Sequence, residues 1–175
     1  MYASIATLEL ISAPGDIPSY SNLGFAVLGR ALQQALPDKT MLWEDYTRQN
    51  ITVPLNMTNT GVDLMVARAQ GNLAVGYDTD GSAAPLQDFG WLSPAGQMYS
   101  SVADLGKLLS AIFTYDSSSD GLTTNTSILK PESIRQWLKP AFFRLADGTG
   151  FGHPWEIETV SELFGMFILG LESGV

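Results

Sequence analysis

A chain of 175 residues is long enough for one ordinary domain and too short for two complete ones. Apolar residues make up 45% and charged residues 15%, which excludes a disordered composition, and a net charge of -9 opposes nucleic-acid binding, which rests on Lys and Arg. With no cysteine and a single histidine, His153, there is no disulfide framework, no thiolate nucleophile and no Cys- or His-rich zinc site, so neither a metal nor a cofactor is expected.

The segment Met1 to Leu8 has no basic start and no long apolar run, and does not read as a signal peptide. From Leu23 to Leu36 the residues Phe25, Leu28, Leu32 and Leu36 fall at helical spacing among alanines. This predicts a mostly buried helix, with Asn22 as its N-cap and Pro37 as its stop. A second helix is predicted over Met41 to Asn50, capped by Thr40 and ended before Pro54. From Asn56 to Leu92 the abundance of Gly, Asn, Asp, Thr and Pro predicts loops with brief strands, Leu73 to Tyr77 among them.

Ser101-Val102-Ala103-Asp104 fits a capping box, and Leu105, Leu108, Leu109 and Ile112 follow on one helical face. The serine run between Asp116 and Asp120 reads as a solvated loop. Pro131 opens a short helix carrying Ile134, Trp137 and Leu138, which Pro140 closes. Trp155 to Val160 alternates as a strand does. The longest apolar run, Leu163 to Leu171, is too short for a bilayer, which needs about 20 apolar residues, and reads as a buried strand or core helix. No repeat and no linker divides the chain, so residues 1–175 are expected to lie in a single domain.

Three Asn-x-Thr/Ser sequons, at Asn50, Asn56 and Asn125, mark glycan acceptors in a parent protein that enters a eukaryotic secretory pathway. The chain has no Gly-x-Ser-x-Gly elbow and no Gly-x-x-x-x-Gly-Lys loop, and Gly148-Thr149-Gly150 lacks a third glycine. The distinctive segment is Pro14-Gly15-Asp16-Ile17-Pro18-Ser19-Tyr20-Ser21-Asn22-Leu23-Gly24, a Pro-Gly turn followed by Tyr-Ser-Asn directly before a helix. Read locally, it is an N-cap with a packed aromatic.

With its neighbours it resembles more. The segment is similar to the second active-site motif of class C β-lactamases, D-alanyl-D-alanine carboxypeptidases and related esterases of the penicillin-binding-protein superfamily. Val53-Pro54-Leu55-Asn56-Met57-Thr58-Asn59-Thr60 resembles that family's Pro-Leu-Gly-Met-x-x-Thr, with Asn56 in place of glycine. Ser93-Pro94-Ala95-Gly96-Gln97-Met98-Tyr99-Ser100-Ser101-Val102-Ala103-Asp104-Leu105 resembles its Ala-Gly-Gly-x-x-Ser-Thr-x-x-Asp-Leu, with Gln97 in place of the second glycine. Leu129 to Ser133 and Gly150 to Trp155 match later landmarks, so the resemblance runs in order from Pro14 to about Ile157.

The resemblance implies the α+β, β-lactamase/transpeptidase-like fold, represented by its helical part, loops and a few short strands. It implies Tyr20 as general base and Asn22 as the ligand of a substrate amide, with Ser21 holding the loop. Trp91, beside the Pro-Ala-Gly turn, is expected to line the substrate cleft, and the substrate is a small or peptide-like amide or ester. In the family an upstream Ser-x-x-Lys supplies the nucleophile, and a Lys-Thr-Gly or His-x-Gly strand supplies the third motif.

A phenol ordinarily titrates near pH 10, so a basic role near neutrality requires adjacent cations. The residues before Tyr20 contain neither lysine nor arginine. The literal Ser127-Ile128-Leu129-Lys130 lies downstream of Tyr20 and reads as the start of a late helix, and His153 reads as a loop histidine. The expectation is an inactive fragment of a secreted or membrane-associated serine hydrolase. The alternative is a non-catalytic binding module derived from the same fold.

Overall fold

The computed structural model describes residues 2–71, 73–113, 128–143, 150–160 and 165–169. It divides into two compact units, one formed by Met1–Tyr20 with Glu132–Val175 and the other by Ser21–Pro131. The serine loop between Asp116 and Asp120, Asn125 and Ser127 lie outside the described residues.

In the first unit a single helical turn, α1 (Tyr2–Ile5), precedes an irregular run to Tyr20. Helix α6 (Pro131–Trp137) begins on its proline, where the missing N–H costs nothing, and ends before Pro140 as the sequence predicts. It leads into an antiparallel meander of β1 (Phe142–Phe143), β2 (Gly150–Phe151), β3 (Glu156–Val160) and β4 (Gly165–Leu169). The register sets Ile157 opposite Gly150 on one side and Ile168 on the other. Ile157 is fully buried, Ile134 nearly so, and the Trp137 and Trp155 rings meet with centroids 5.0 Å apart. The apolar run after Leu163 is thus a strand over Gly165–Leu169, the extended one of its two predicted forms.

The second unit is built on α2 (Asn22–Ala35), which ends before Pro37 as expected. Its cap is Ser21 rather than Asn22. Ser21 has the extended backbone of a cap residue and its Oγ accepts the Gly24 amide at 2.9 Å, while Asn22 is already helical. The buried face also differs from the predicted one. Leu28 is 62% exposed, and the residues turned inward are Ala26 and Gln33, with Gly29 between them. The reason is distance: a Cβ on Gly29 would lie 2.5 Å from the Pro94 ring, so α2 packs through its smallest residue.

Helix α3 (Trp43–Thr47) runs into a π-helical turn, Arg48–Thr52, in which the Val53 amide reaches back to the Arg48 carbonyl. Thr40 does not cap α3, because its amide and hydroxyl both bond the Asp38 carboxylate. Within the predicted loop region the structure has a helix, α4 (Leu64–Ala69), capped by Asp63, whose Oδ1 accepts the Met65 and Val66 amides. A 3-10 turn, Gly90–Ala95, opens on Gly90, whose φ is +52°. Leu73 to Tyr77 contributes only the isolated bridge Tyr77 to Ala83.

Helix α5 (Val102–Phe113) starts at the predicted capping box, and Ser101 Oγ accepts the Asp104 amide at 3.2 Å. Asp104 does not return the bond. Its carboxylate is fully buried and is taken by Asn59, Thr60 and Lys107. Of the four predicted face residues Ile112 is buried, whereas Leu105 and Leu109 are about half exposed, at 45% and 46%. Among the described residues no helix is long and apolar enough to cross a membrane.

Candidate functional site

The Tyr20-Ser21-Asn22 segment lies where the irregular chain enters α2, and the division between the two units falls between Tyr20 and Ser21. Tyr20 is 55% exposed, and Ser21 and Asn22 are exposed as well. The three residues divide their work by local geometry. Ser21 Oγ is committed to the helix cap, so it holds the turn that follows Tyr20 and fixes Asn22 in the first helical position.

Trp91 sits in the 3-10 turn and is half-buried, with the Arg30 guanidinium 6.0 Å from its ring centroid. Arg30 also ties this turn to α2. Its Nη2 donates to the carbonyls of Gly90 and Trp91 at 3.2 and 3.1 Å, and its Nη1 donates to Gln33 Oε1 at 2.8 Å.

Behind Trp91 stands a polar hub that sequence reasoning missed. Buried Ser93 accepts from Trp43 Nε1 at 3.2 Å and donates to Glu44 Oε1 at 3.2 Å. Glu44 Oε2 is buried with no hydrogen-bond partner among the described residues. The sequence signal available was the pair of tryptophans at 43 and 91 and the place of Ser93 at the head of the Ser93 to Leu105 segment, but nothing in the sequence ties Ser93 to Trp43 or Glu44, and Arg30 belongs to no recognisable spacing. A cavity of about 650 Å³ in this unit is lined by Glu44, Arg48, Asp63, Ser93 and Tyr99 among others, and by none of Ser21, Asn22 or Trp91. Burial, with the nearby Asp63 charge, pushes the Tyr99 phenol up from its ordinary value.

Two departures from the family pattern acquire local reasons. Asn56 has a φ of +53°, a left-handed conformation that asparagine tolerates better than most residues other than glycine. Gln97 Oε1 accepts the Phe89 amide at 2.7 Å and its Nε2 donates to the Val62 carbonyl at 3.4 Å, so its side chain joins two loops that a glycine would leave unlinked. His153 is exposed in the turn before β3. Lys130 is exposed just ahead of α6. Of the three sequons, Asn50 and Asn56 are both exposed. No group of three or more His, Asp or Glu able to hold a metal ion occurs among the described residues.

Comparison with known proteins converges on one family. The Beta-lactamase family model matches residues 1–170. A human beta-lactamase-like 1 protein is 33% identical over 153 residues, covering 84% of this chain and 28% of its own length. Beta-lactamase-like protein 4 of Dictyostelium discoideum is 30% identical over 160 residues, covering 87% of this chain and 28% of its own length. Among solved structures, the octameric penicillin-binding protein homologue from Pyrococcus abyssi superposes with a TM-score of 0.65 at 25% identity, over 84% of this chain and 31% of that one. A D-alanine carboxypeptidase from Burkholderia cenocepacia superposes with a TM-score of 0.68 at 20% identity, over 90% and 41%. The chain therefore spans 28% of the length of these two curated relatives. A match along nearly the whole chain, in a fold shared with the penicillin-binding protein homologue and the carboxypeptidase, makes this chain a member of the beta-lactamase family with the β-lactamase/transpeptidase-like fold.

Proposed function

We propose that residues 1–175 are part of a single serine-hydrolase domain and contribute the second-motif side of its active site, while hydrolysing nothing by themselves. In the parent protein a serine outside these residues is acylated by an amide or ester, and water then releases the acyl group. Tyr20 moves the proton of that exchange and Asn22 binds the substrate amide. Trp91 contributes to the cleft wall.

The observation that carries this reading is the placement of the motif. Ser21 spends its side chain on the cap of α2, and Tyr20 is exposed immediately before it. The family membership supplies the chemistry. The reading of inactivity is supported by the position of Ser127 to Lys130, after rather than before the motif. The parent is proposed to be secreted or membrane-associated.

The test compares two proteins against a chromogenic β-lactam and an activated ester. The 175-residue chain is expected to show no turnover and no labelling by a fluorophosphonate or a penicillin. The full-length parent is expected to show turnover that falls about 10²–10⁴-fold on Tyr20→Phe, the range for loss of a positioned proton carrier. Labelling of the short chain, or a Tyr20→Phe parent of unchanged kcat, contradicts the proposal. A parent that binds β-lactams reversibly without turnover favours the non-catalytic binding module.

A further inference from the structure

The sequence marks Asn50 and Asn56 alike as sequons, and the structure treats them differently. At Asn50-Ile51-Thr52 both functional ends of the motif are engaged. Asn50 Nδ2 donates to the Tyr46 carbonyl at 2.9 Å, and Thr52 is 5% exposed with its hydroxyl bonded to the Arg48 carbonyl at 3.3 Å. The segment is also wound into the π-helical turn, and the Thr52 carbonyl accepts the Met57 amide at 2.8 Å. Freeing Thr52 for an enzyme means unwinding that turn and exposing a buried residue.

At Asn56-Met57-Thr58 the arrangement is reversed. Met57, the middle residue, is 4% exposed and anchors the turn, while Asn56 and Thr58 on either side of it are exposed. The φ of +53° belongs to a tight turn, and the Asn56 side-chain amide makes no hydrogen bond among the described residues. What fixes Asn56 is its backbone: its carbonyl accepts from Lys107 Nζ, a contact that a modified side chain leaves intact. Among the described residues the Thr58 hydroxyl has only a long contact, 3.5 Å, with Asn59 Nδ2. An N-linked sugar attaches to such a surface asparagine, with the threonine two residues on as the recognition element.

We propose that Asn56, and not Asn50, is an N-glycosylation site of the parent protein. The donor is a lipid-pyrophosphate-linked oligosaccharide. Asn56 Nδ2 forms a bond to the anomeric carbon, the carbon–oxygen bond to the pyrophosphate breaks and its electron pair leaves with the lipid pyrophosphate, and one amide proton passes to a base of the transferase. Nothing is oxidised or reduced. The inference is independent of whether the parent is a hydrolase.

The experiment is made on the full-length parent produced in a human secretory cell line. Peptide N-glycanase in heavy-oxygen water converts a glycosylated asparagine into labelled aspartate, and peptide mapping locates the label. The expected result is label at Asn56 and none at Asn50. Asn56→Gln and Thr58→Ala should each abolish the same mobility shift, and Thr58→Ala does so without disturbing the left-handed backbone of Asn56. Thr52→Ala should leave the shift unchanged. Label at Asn50, at both asparagines or at neither overturns the proposal, as does a shift that survives Thr58→Ala.

Discussion

The Asp104 carboxylate accepts the backbone amide of Asn59 at 2.7 Å, joining positions 45 residues apart in the chain. The same oxygen takes the Thr60 hydroxyl at 3.0 Å, and the other oxygen pairs with Lys107 Nζ at 2.7 Å. A fully buried acid is tolerated only when it is paired and hydrogen-bonded, and here the partners lock the loop after Met57 onto the first turn of α5.

That relationship sets the acid response. The Lys107 ammonium holds the Asp104 carboxyl below its ordinary value near 3.8, helped by Asn59 and Thr60 and opposed by desolvation. A group whose folded value is depressed contributes stability that is fully present above the unfolded value and is lost as pH falls through the folded one. At neutral pH Asp104→Asn should therefore melt several degrees lower than the natural protein. The gap should begin to narrow as the pH falls below about 3.8, where the unfolded chain takes up the proton first, and close only once the pH is below the depressed folded value and Asp104 is neutral in both states. Thermal melts followed by circular dichroism across that range check it, and a gap that persists in strong acid contradicts it.

Gly29 and Gly106 are both helical glycines with opposite expected responses to alanine. At Gly29 the new Cβ meets the Pro94 ring at 2.5 Å, and neither a proline ring nor a packed helix gives way easily, so Gly29→Ala should cost about 1–3 kcal/mol. At Gly106 nothing lies within 4 Å, and Gly106→Ala should gain about 0.5–1 kcal/mol by restricting the unfolded chain. Denaturant titration of the two variants side by side gives the signs.

Ser93 is the joint between α2, α3 and the 3-10 turn that carries Trp91. Ser93→Ala removes the acceptor of the Trp43 indole N–H and the donor to Glu44, both largely shielded from water. Leaving a buried indole N–H unsatisfied costs about 1–3 kcal/mol, and denaturant unfolding should show a loss of that size. An unperturbed midpoint would mean that the hub is not a structural joint.

Much of the fold was legible because its signals act over a few residues. Pro37, Pro131 and Pro140 delimit helices wherever they fall, since a proline lacks the amide hydrogen that continues a helix. Ser101 caps α5 as its spacing to Asp104 requires. The Tyr20-Ser21-Asn22 motif was identified from its neighbours in order, and it stands at the start of α2. Helix α4 carried its own local signals, Asp63 before Leu64 and Gly71 after Ala69, but at six residues it is too short for hydrophobic periodicity to register.

The amino-acid sequence by itself determined the family and the presence and ends of α2, α5 and α6, because caps, prolines and contiguous motifs act within about one helical turn. Only the tertiary structure decided which face of α2 is buried, what Asp104 binds, and that Arg30 reaches the carbonyls of Gly90 and Trp91, 60 and 61 residues away. Those choices depend on which segments meet in space. An apolar spacing states that a helix has a face to bury, but the proline ring that lies 2.5 Å from a hypothetical Gly29 side chain decides which face it is.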